Sequence, residues 1–167
     1  DISRITERTR GGKGGLLALI WANNETGILS PVKEACMCAK KQGWKVHLDG
    51  AQIAGKLPID VVSTEADYVA LSAHKIYGPK GIGALYVRKG SPFRCLLHGP
   101  QESGRRGGTE SVPLIVGFGE AARLACHDLD ERCRKVMELR DRLEAELLRV
   151  IDGASVNGRG VDRLPNT

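Results

Sequence analysis

Two short strand-like runs in this chain each finish in residues that can do chemistry. Val46-His47-Leu48-Asp49 ends in an acid, and Tyr68-Val69-Ala70-Leu71 leads directly into Ser72-Ala73-His74-Lys75. A further run upstream, Leu16-Leu17-Ala18-Leu19-Ile20-Trp21, is continuously apolar, as expected for a strand covered on both faces. After it, Asn23-Asn24-Glu25-Thr26-Gly27 reads as a loop. Ser30 as N-cap and Pro31 in the first turn predict a helix to about Lys41, ended by Gly43. Residues 60–64 predict a short helix ahead of the 68–71 strand. This alternation of strands and helices argues for an α/β fold with a mostly parallel sheet. Asp49 and Lys75 then stand at the carboxyl ends of neighbouring strands, where open α/β sheets place their ligands.

Downstream, Gly78-Pro79-Lys80-Gly81-Ile82-Gly83 is a glycine-rich turn, and residues 83–88 form a strand that could pair as a hairpin. A strand rather than a helix follows these glycines, so they are not a dinucleotide fingerprint. Residues 97–111 are rich in glycine and charge, and predict a loop that carries function or a contact. Beyond Pro113 the pattern is helical to about Val150. Leu129, Val136, Leu139, Leu143, Leu147 and Val150 recur at helical spacing and predict a packing face. Gly117 and Gly119 mark a bend or a close helix contact. Residues 153–160 form a turn region into a small C-terminal piece. The expected division is a partial ligand-binding large domain over 1–120, a connecting helix over 121–150, and the start of a small domain over 151–167.

Composition narrows the partners. With 41% hydrophobic and 27% charged residues, a chain of 167 can build one domain with a core. The net charge of +5 is scattered and aromatics are only 4%, so no nucleic-acid partner is expected. Five cysteines form no disulfide framework, which suits a reducing compartment: the cytoplasm, or the mitochondrion in a eukaryote. Cys36-x-Cys38 is too sparse for a metal site. No apolar run approaches the length of about 18 residues that reads as a membrane span, so no membrane partner is expected. Residues 1–10 are polar and contain acids, unlike a signal peptide. The chain begins without Met and ends at Leu164-Pro165-Asn166-Thr167, where a new strand could start, so both ends read as cut.

A lysine and a carboxylate on one sheet edge suit pyridoxal phosphate. The lysine can form a Schiff base with the aldehyde, and the acid can hold the pyridinium nitrogen protonated. Singly, each residue has a plainer reading. Lys75 could be a surface lysine, Asp49 a cap or ion-pair partner, and His74 a half-buried histidine. Thr109, after Gly107-Gly108, could cap a helix or donate to a phosphate.

Together they resemble one family. The motifs are Ala22-Asn23-Asn24-Glu25-Thr26-Gly27, His47-Leu48-Asp49-Gly50-Ala51-Gln52, Gly55-Lys56-Leu57-Pro58-Ile59-Asp60, Ser72-Ala73-His74-Lys75-Ile76-Tyr77-Gly78-Pro79-Lys80-Gly81, and Arg106-Gly107-Gly108-Thr109-Glu110. In order and spacing they resemble the cysteine desulfurases of the class V aminotransferase group, over nearly the whole chain. The His-Lys-x-Tyr-Gly-Pro-Lys-Gly block is similar to the branch serving general and nitrogenase iron–sulfur assembly.

The resemblance implies the central part of a fold-type I pyridoxal-phosphate transferase large domain, followed by a long helix into a small C-terminal domain. It implies that Lys75 holds the cofactor aldehyde and moves the substrate α-proton. Asp49 would pair with the pyridine nitrogen and Gln52 with the phenolate oxygen. Ser72 and His74 would contact the phosphate, and Thr109 a phosphate in the partner subunit of a homodimer. Asn24 would lie near the substrate. The implied reaction takes sulfur from L-cysteine, giving L-alanine and an enzyme persulfide for an iron–sulfur scaffold or another acceptor protein. The family's first phosphate loop, ring-stacking histidine, nucleophilic cysteine and carboxylate-binding arginine have no match here, so the fragment alone is expected to be inactive. Gly50 replaces the family's usual alanine or threonine on a ring-facing turn. The rival readings are a selenocysteine lyase or other carbon–sulfur lyase, and a non-catalytic fragment that binds partners.

Overall fold

The computed structural model describes residues 2–11 and 14–167. Four strands make one sheet in the order β1 (Leu16–Ile20), β2 (Lys45–Asp49), β3 (Tyr68–Ser72) and β4 (Gly83–Val87). β1, β2 and β3 run parallel, while β4 returns antiparallel to β3. The α/β class, the mostly parallel sheet and the hairpin read from the sequence are all present.

Alternation of side chains divides the sheet. Val46, Leu48 and Val69 point to one face and are fully buried under α2 (Val32–Lys41), whose Val32, Cys36 and Ala39 join the same core with Trp21. Each such aliphatic side chain contributes about 1.5–3 kcal/mol by leaving water. The helix α1 (Ile2–Thr9), from residues read only as polar, lies against α2.

The opposite face carries Leu16, Ala18 and Ile20 of β1 beside His47 and Asp49 of β2. Leu16 is 57% and Ile20 53% exposed, so β1 is covered on one face only among the described residues. Its apolar run had predicted cover on both.

Four further expectations change. Ser30 does not cap α2: its hydroxyl donates to the Ile20 carbonyl at 2.7 Å, and the helix starts after Pro31. Residues 60–64 form a turn rather than a helix. The Asp60 carboxylate accepts from the Val62 and Ser63 amides, a local alternative to helical bonding. The helix beyond Pro113 is two helices, α4 (Val112–His127) and α5 (Leu129–Val150), separated at Asp128 with φ −120 and ψ 34. The α5 stripe is open among the described residues, with Leu139 68% and Leu143 61% exposed.

Other expectations hold. Gly43 follows α2 and donates to the Lys40 carbonyl. A methyl group on Gly117 would lie 3.1 Å from Pro79, so α4 approaches that turn closely there. The short turn α3 (Gln101–Gly104) lies within the 97–111 loop. The C-terminal arm folds back over the molecule. Leu164 is buried, its amide donates to the Gly27 carbonyl, and Arg140 of α5 donates to the Leu164 carbonyl at 2.6 Å.

Candidate functional site

β2 ends in Asp49 and β3 in Ser72, and a 3₁₀ turn, Ala73–Ile76, presents His74 and Lys75 immediately afterwards. Asp49 pairs in register with Ala70, so Asp49, Ala70 and Ser72 share the open face. The chain turns sharply after Asp49, with the Ile53 and Ala54 amides donating to the Gly50 carbonyl, and this turn carries Gln52. Asn24 stands on the loop after β1. There the Asn23 carboxamide caps the Glu25 and Thr26 amides, and the Trp21 amide donates to the Asp49 carbonyl at 2.9 Å. Five residues thus gather at two adjacent strand ends, with Asn24 on the neighbouring loop. Thr109 sits exposed on the separate 97–111 segment, and no hydrogen bond joins that segment to the group among the described residues.

A methyl group at Gly50 would meet Leu71 and Val69 at 3.1 Å and the Ala70 carbonyl at 3.2 Å. Gly50 is buried, and a side chain there would press on β3.

The group leaves polar atoms open to a ligand. Asp49 Oδ1 accepts from the Ala51 amide at 3.0 Å, while Oδ2 has no partner among the described residues. Gln52 uses its carboxamide oxygen on Lys56 and leaves its NH₂ unpaired. The side chains of Asn24, Ser72, His74, Lys75 and Thr109 make no hydrogen bond or ion pair among the described residues. Asp67 is the contrast: it is 1% exposed, and it accepts from Ser91, the Val46 amide and Lys45. Burial pushes its carboxyl up, but these donors together hold it below the usual carboxylate range. Asp67 is therefore a structural acid, and Asp49 is one with an oxygen to spare. An acceptor, an amide donor, a hydroxyl, an imidazole and an amine on one strand edge fit a ligand that combines a ring nitrogen, a phenolic oxygen, a phosphate and an electrophilic carbon.

The lysine turn is fixed from behind. Ile76 is buried against Ala54 and Ala121 of α4. Gly55 makes the approach possible: its φ is +67, and a Cβ there would lie 2.8 Å from Ile76 Cγ2. A cavity of about 350 Å³ opens beside the turn, lined among others by Lys56, Lys75, Arg132, Cys133 and Asn166. Arg132 donates to the Ala125 and Gly55 carbonyls, and the Cys133 thiol donates to the Lys56 carbonyl at 2.8 Å. Burial, then the Lys75 charge, lowers the Lys56 ammonium below its ordinary range. Sequence reasoning quoted Lys56 only within the Gly55–Asp60 motif and gave no role to Lys56, Arg132 or Asn166. Only Lys56, four residues beyond Gln52, carried a local signal. Among the described residues no cluster of metal-ligating side chains occurs, and no helix is long and apolar enough to cross a membrane.

Relatives share this arrangement of sequence and fold. A cysteine desulfurase of Sinorhizobium fredii is 49% identical over 153 residues, which are 91% of this chain and 40% of that protein. The chain therefore spans about two-fifths of the length of that relative. A NifS-like protein of Rickettsia africae superposes with a TM-score of 0.92 at 32% identity, covering 99% of this chain and 46% of that one. A structure described as SspA in complex with cysteine matches with a TM-score of 0.70 at 42% identity, covering 74% of this chain and 36% of that one. Residues 2–166 match the aminotransferase class-V family model, and the chain belongs to that family.

Proposed function

We propose that the polypeptide carrying this chain is a pyridoxal-phosphate-dependent cysteine desulfurase, taking sulfur from L-cysteine and leaving L-alanine and an enzyme persulfide. The observation that carries the reading is the set of open polar groups at the ends of β2 and β3, Asp49 Oδ2 foremost. Similarity to cysteine desulfurases, and to a protein solved with cysteine, supports the substrate. The bound cofactor would supply an electron sink for charge developing at the substrate Cα.

This chain's residues would do the rest. Lys75 Nζ would bind the cofactor's aldehyde carbon and, once released, move the α-proton. Asp49 Oδ2 would hold the proton on the ring nitrogen. The Gln52 NH₂ would donate to the phenolic oxygen. Ser72 and His74 would bind the phosphate, Thr109 would reach a phosphate across a homodimer, and Asn24 would face the substrate. None of the five cysteines is assigned as the persulfide carrier. The sulfur would pass to an iron–sulfur scaffold or another acceptor protein. Residues 1–120 would belong to the cofactor-binding large domain, 121–150 to its connection and 151–167 to the start of a small domain. Five free cysteines fit a reducing compartment, cytoplasmic or mitochondrial.

The test is borohydride reduction of the full natural polypeptide loaded with pyridoxal phosphate, followed by peptide mass mapping. The adduct is expected on Lys75. An adduct on Lys56 or Lys80 instead would overturn the assignment.

A further inference from the structure

Lys56 binds both oxygens of a single residue. Its Nζ donates to the Gln52 backbone carbonyl at 2.9 Å and to Gln52 Oε1 at 3.0 Å. An ammonium has donors only, so it accepts no hydrogen bond from an amide. The Gln52 carboxamide must turn its oxygen to Lys56 and its NH₂ away. Without Lys56 the two ends of the amide are nearly equivalent in shape, and either could face outward.

The lysine is itself held. The Cys133 thiol donates to its carbonyl at 2.8 Å, and Arg132 donates to the preceding Gly55 carbonyl, so α5 anchors the turn. Lys56 also lines the cavity beside Lys75. The charged and titratable groups around that cavity are Lys75 and Tyr77 from the lysine turn, and Arg132 and Cys133 from α5.

We propose that Lys56 is a positioning residue. It fixes the Gln52 carboxamide with its NH₂ outward, so that Gln52 can only donate to the cofactor's phenolic oxygen. This inference rests on the function proposed above. It adds a residue that touches neither cofactor nor substrate and acts through one that does. Burial, and then the neighbouring Lys75 charge, disfavour the Lys56 ammonium, while both Gln52 oxygens accept from it.

A double-mutant cycle on cofactor affinity tests it, using the full natural polypeptide stripped of cofactor and titrated with pyridoxal phosphate. Lys56→Met is expected to weaken binding about tenfold, the scale of one oriented hydrogen bond to a charged group. In the Gln52→Ala background, Lys56→Met should change affinity by less than about twofold, because its effect passes through Gln52. The bound-cofactor absorption of Lys56→Met should shift in the same direction as that of Gln52→Ala. Lys56→Arg, which keeps charge and donors, should restore wild-type affinity and spectrum.

Unchanged affinity in Lys56→Met, additive effects in the cycle, or an equal loss in Lys56→Arg would each overturn the proposal and leave the function reading standing. Lys75 borohydride mapping of the wild-type protein separates the two. If Lys75 carries no adduct, both fall.

Discussion

Asp49 Oδ1 accepts the backbone N–H of Ala51 at 3.0 Å, which aims the carboxylate along the turn after β2 and leaves Oδ2 open. A pyridinium partner needs a carboxylate held in this way. Asp49→Asn should therefore lower turnover of the full polypeptide with L-cysteine by about 10²-fold or more, the scale of a preorganised electrostatic contact. Cofactor occupancy should fall less. Gln52→Ala should be milder. Steady-state alanine production, measured beside cofactor content, checks both, and wild-type turnover in Asp49→Asn would remove Asp49 from its role.

Asp67 predicts the acid stability of the fold. Asp67→Ala leaves the Val46 amide, Ser91 and Lys45 without their acceptor and should cost about 3–5 kcal/mol at pH 7. The folded-state carboxyl titrates below the ordinary carboxylate value. Its contribution is therefore present above about pH 3.9 and is lost as pH falls through the folded pKa. Urea unfolding of both proteins at several pH values should show the gap narrowing below about pH 4. A gap that widened in acid would contradict the sign.

Gly55 and Ile76 are too close for any side chain between them. Gly55→Ala, at φ +67 and with a Cβ 2.8 Å from Ile76 Cγ2, should destabilise the fold by about 1–3 kcal/mol. The Lys75 turn packs on Ile76, so cofactor affinity of the full polypeptide should drop with it. Unchanged urea midpoints would show that the contact yields freely.

The cysteines should separate by reactivity. Burial, the largest influence, pushes the Cys36 thiol up to about 11, against the smaller opposing effect of Lys40. Cys126 is exposed. At pH 8 an alkylating reagent should modify Cys126 and leave Cys36 unmodified until the chain unfolds, because the thiolate is the reactive form. Mass mapping at short times distinguishes them, and early labelling of Cys36 would mean that α2 opens readily.

The 167 residues by themselves are expected neither to produce alanine from cysteine nor to retain pyridoxal phosphate through gel filtration. Lys75 is exposed, and the sheet face carrying Asp49 also shows Leu16 and Ile20 to water at 57% and 53% exposure. A cofactor held there would meet water on one side. Stoichiometric cofactor after filtration, with steady alanine production, would show that these residues suffice.

The strand ends were legible in the sequence because strand formation there is local. Val46-His47-Leu48-Asp49 and Tyr68-Val69-Ala70-Leu71 alternate or run apolar over a few residues, and Ser72 to Lys75 follow with no intervening segment to misplace. The parallel run of β1, β2 and β3 agrees with the strand–helix alternation read there, and β4 pairs with β3 as the hairpin it allowed; the strand order came from the structure. Other features depended on partners far along the chain. Ser30 gave up its cap for the Ile20 carbonyl, ten residues back. Leu16-Leu17-Ala18-Leu19-Ile20 could not reveal that, among the described residues, only one of its faces would be covered. The arm at Leu164 reached Gly27 and Arg140, and Cys133 reached Lys56 across 77 positions. A sequence states which residues can bond and bury, but competition among distant partners is settled only when the chain closes on itself. That closure set Arg132 and Cys133 of α5 against the turn that carries Gly55 and Lys56.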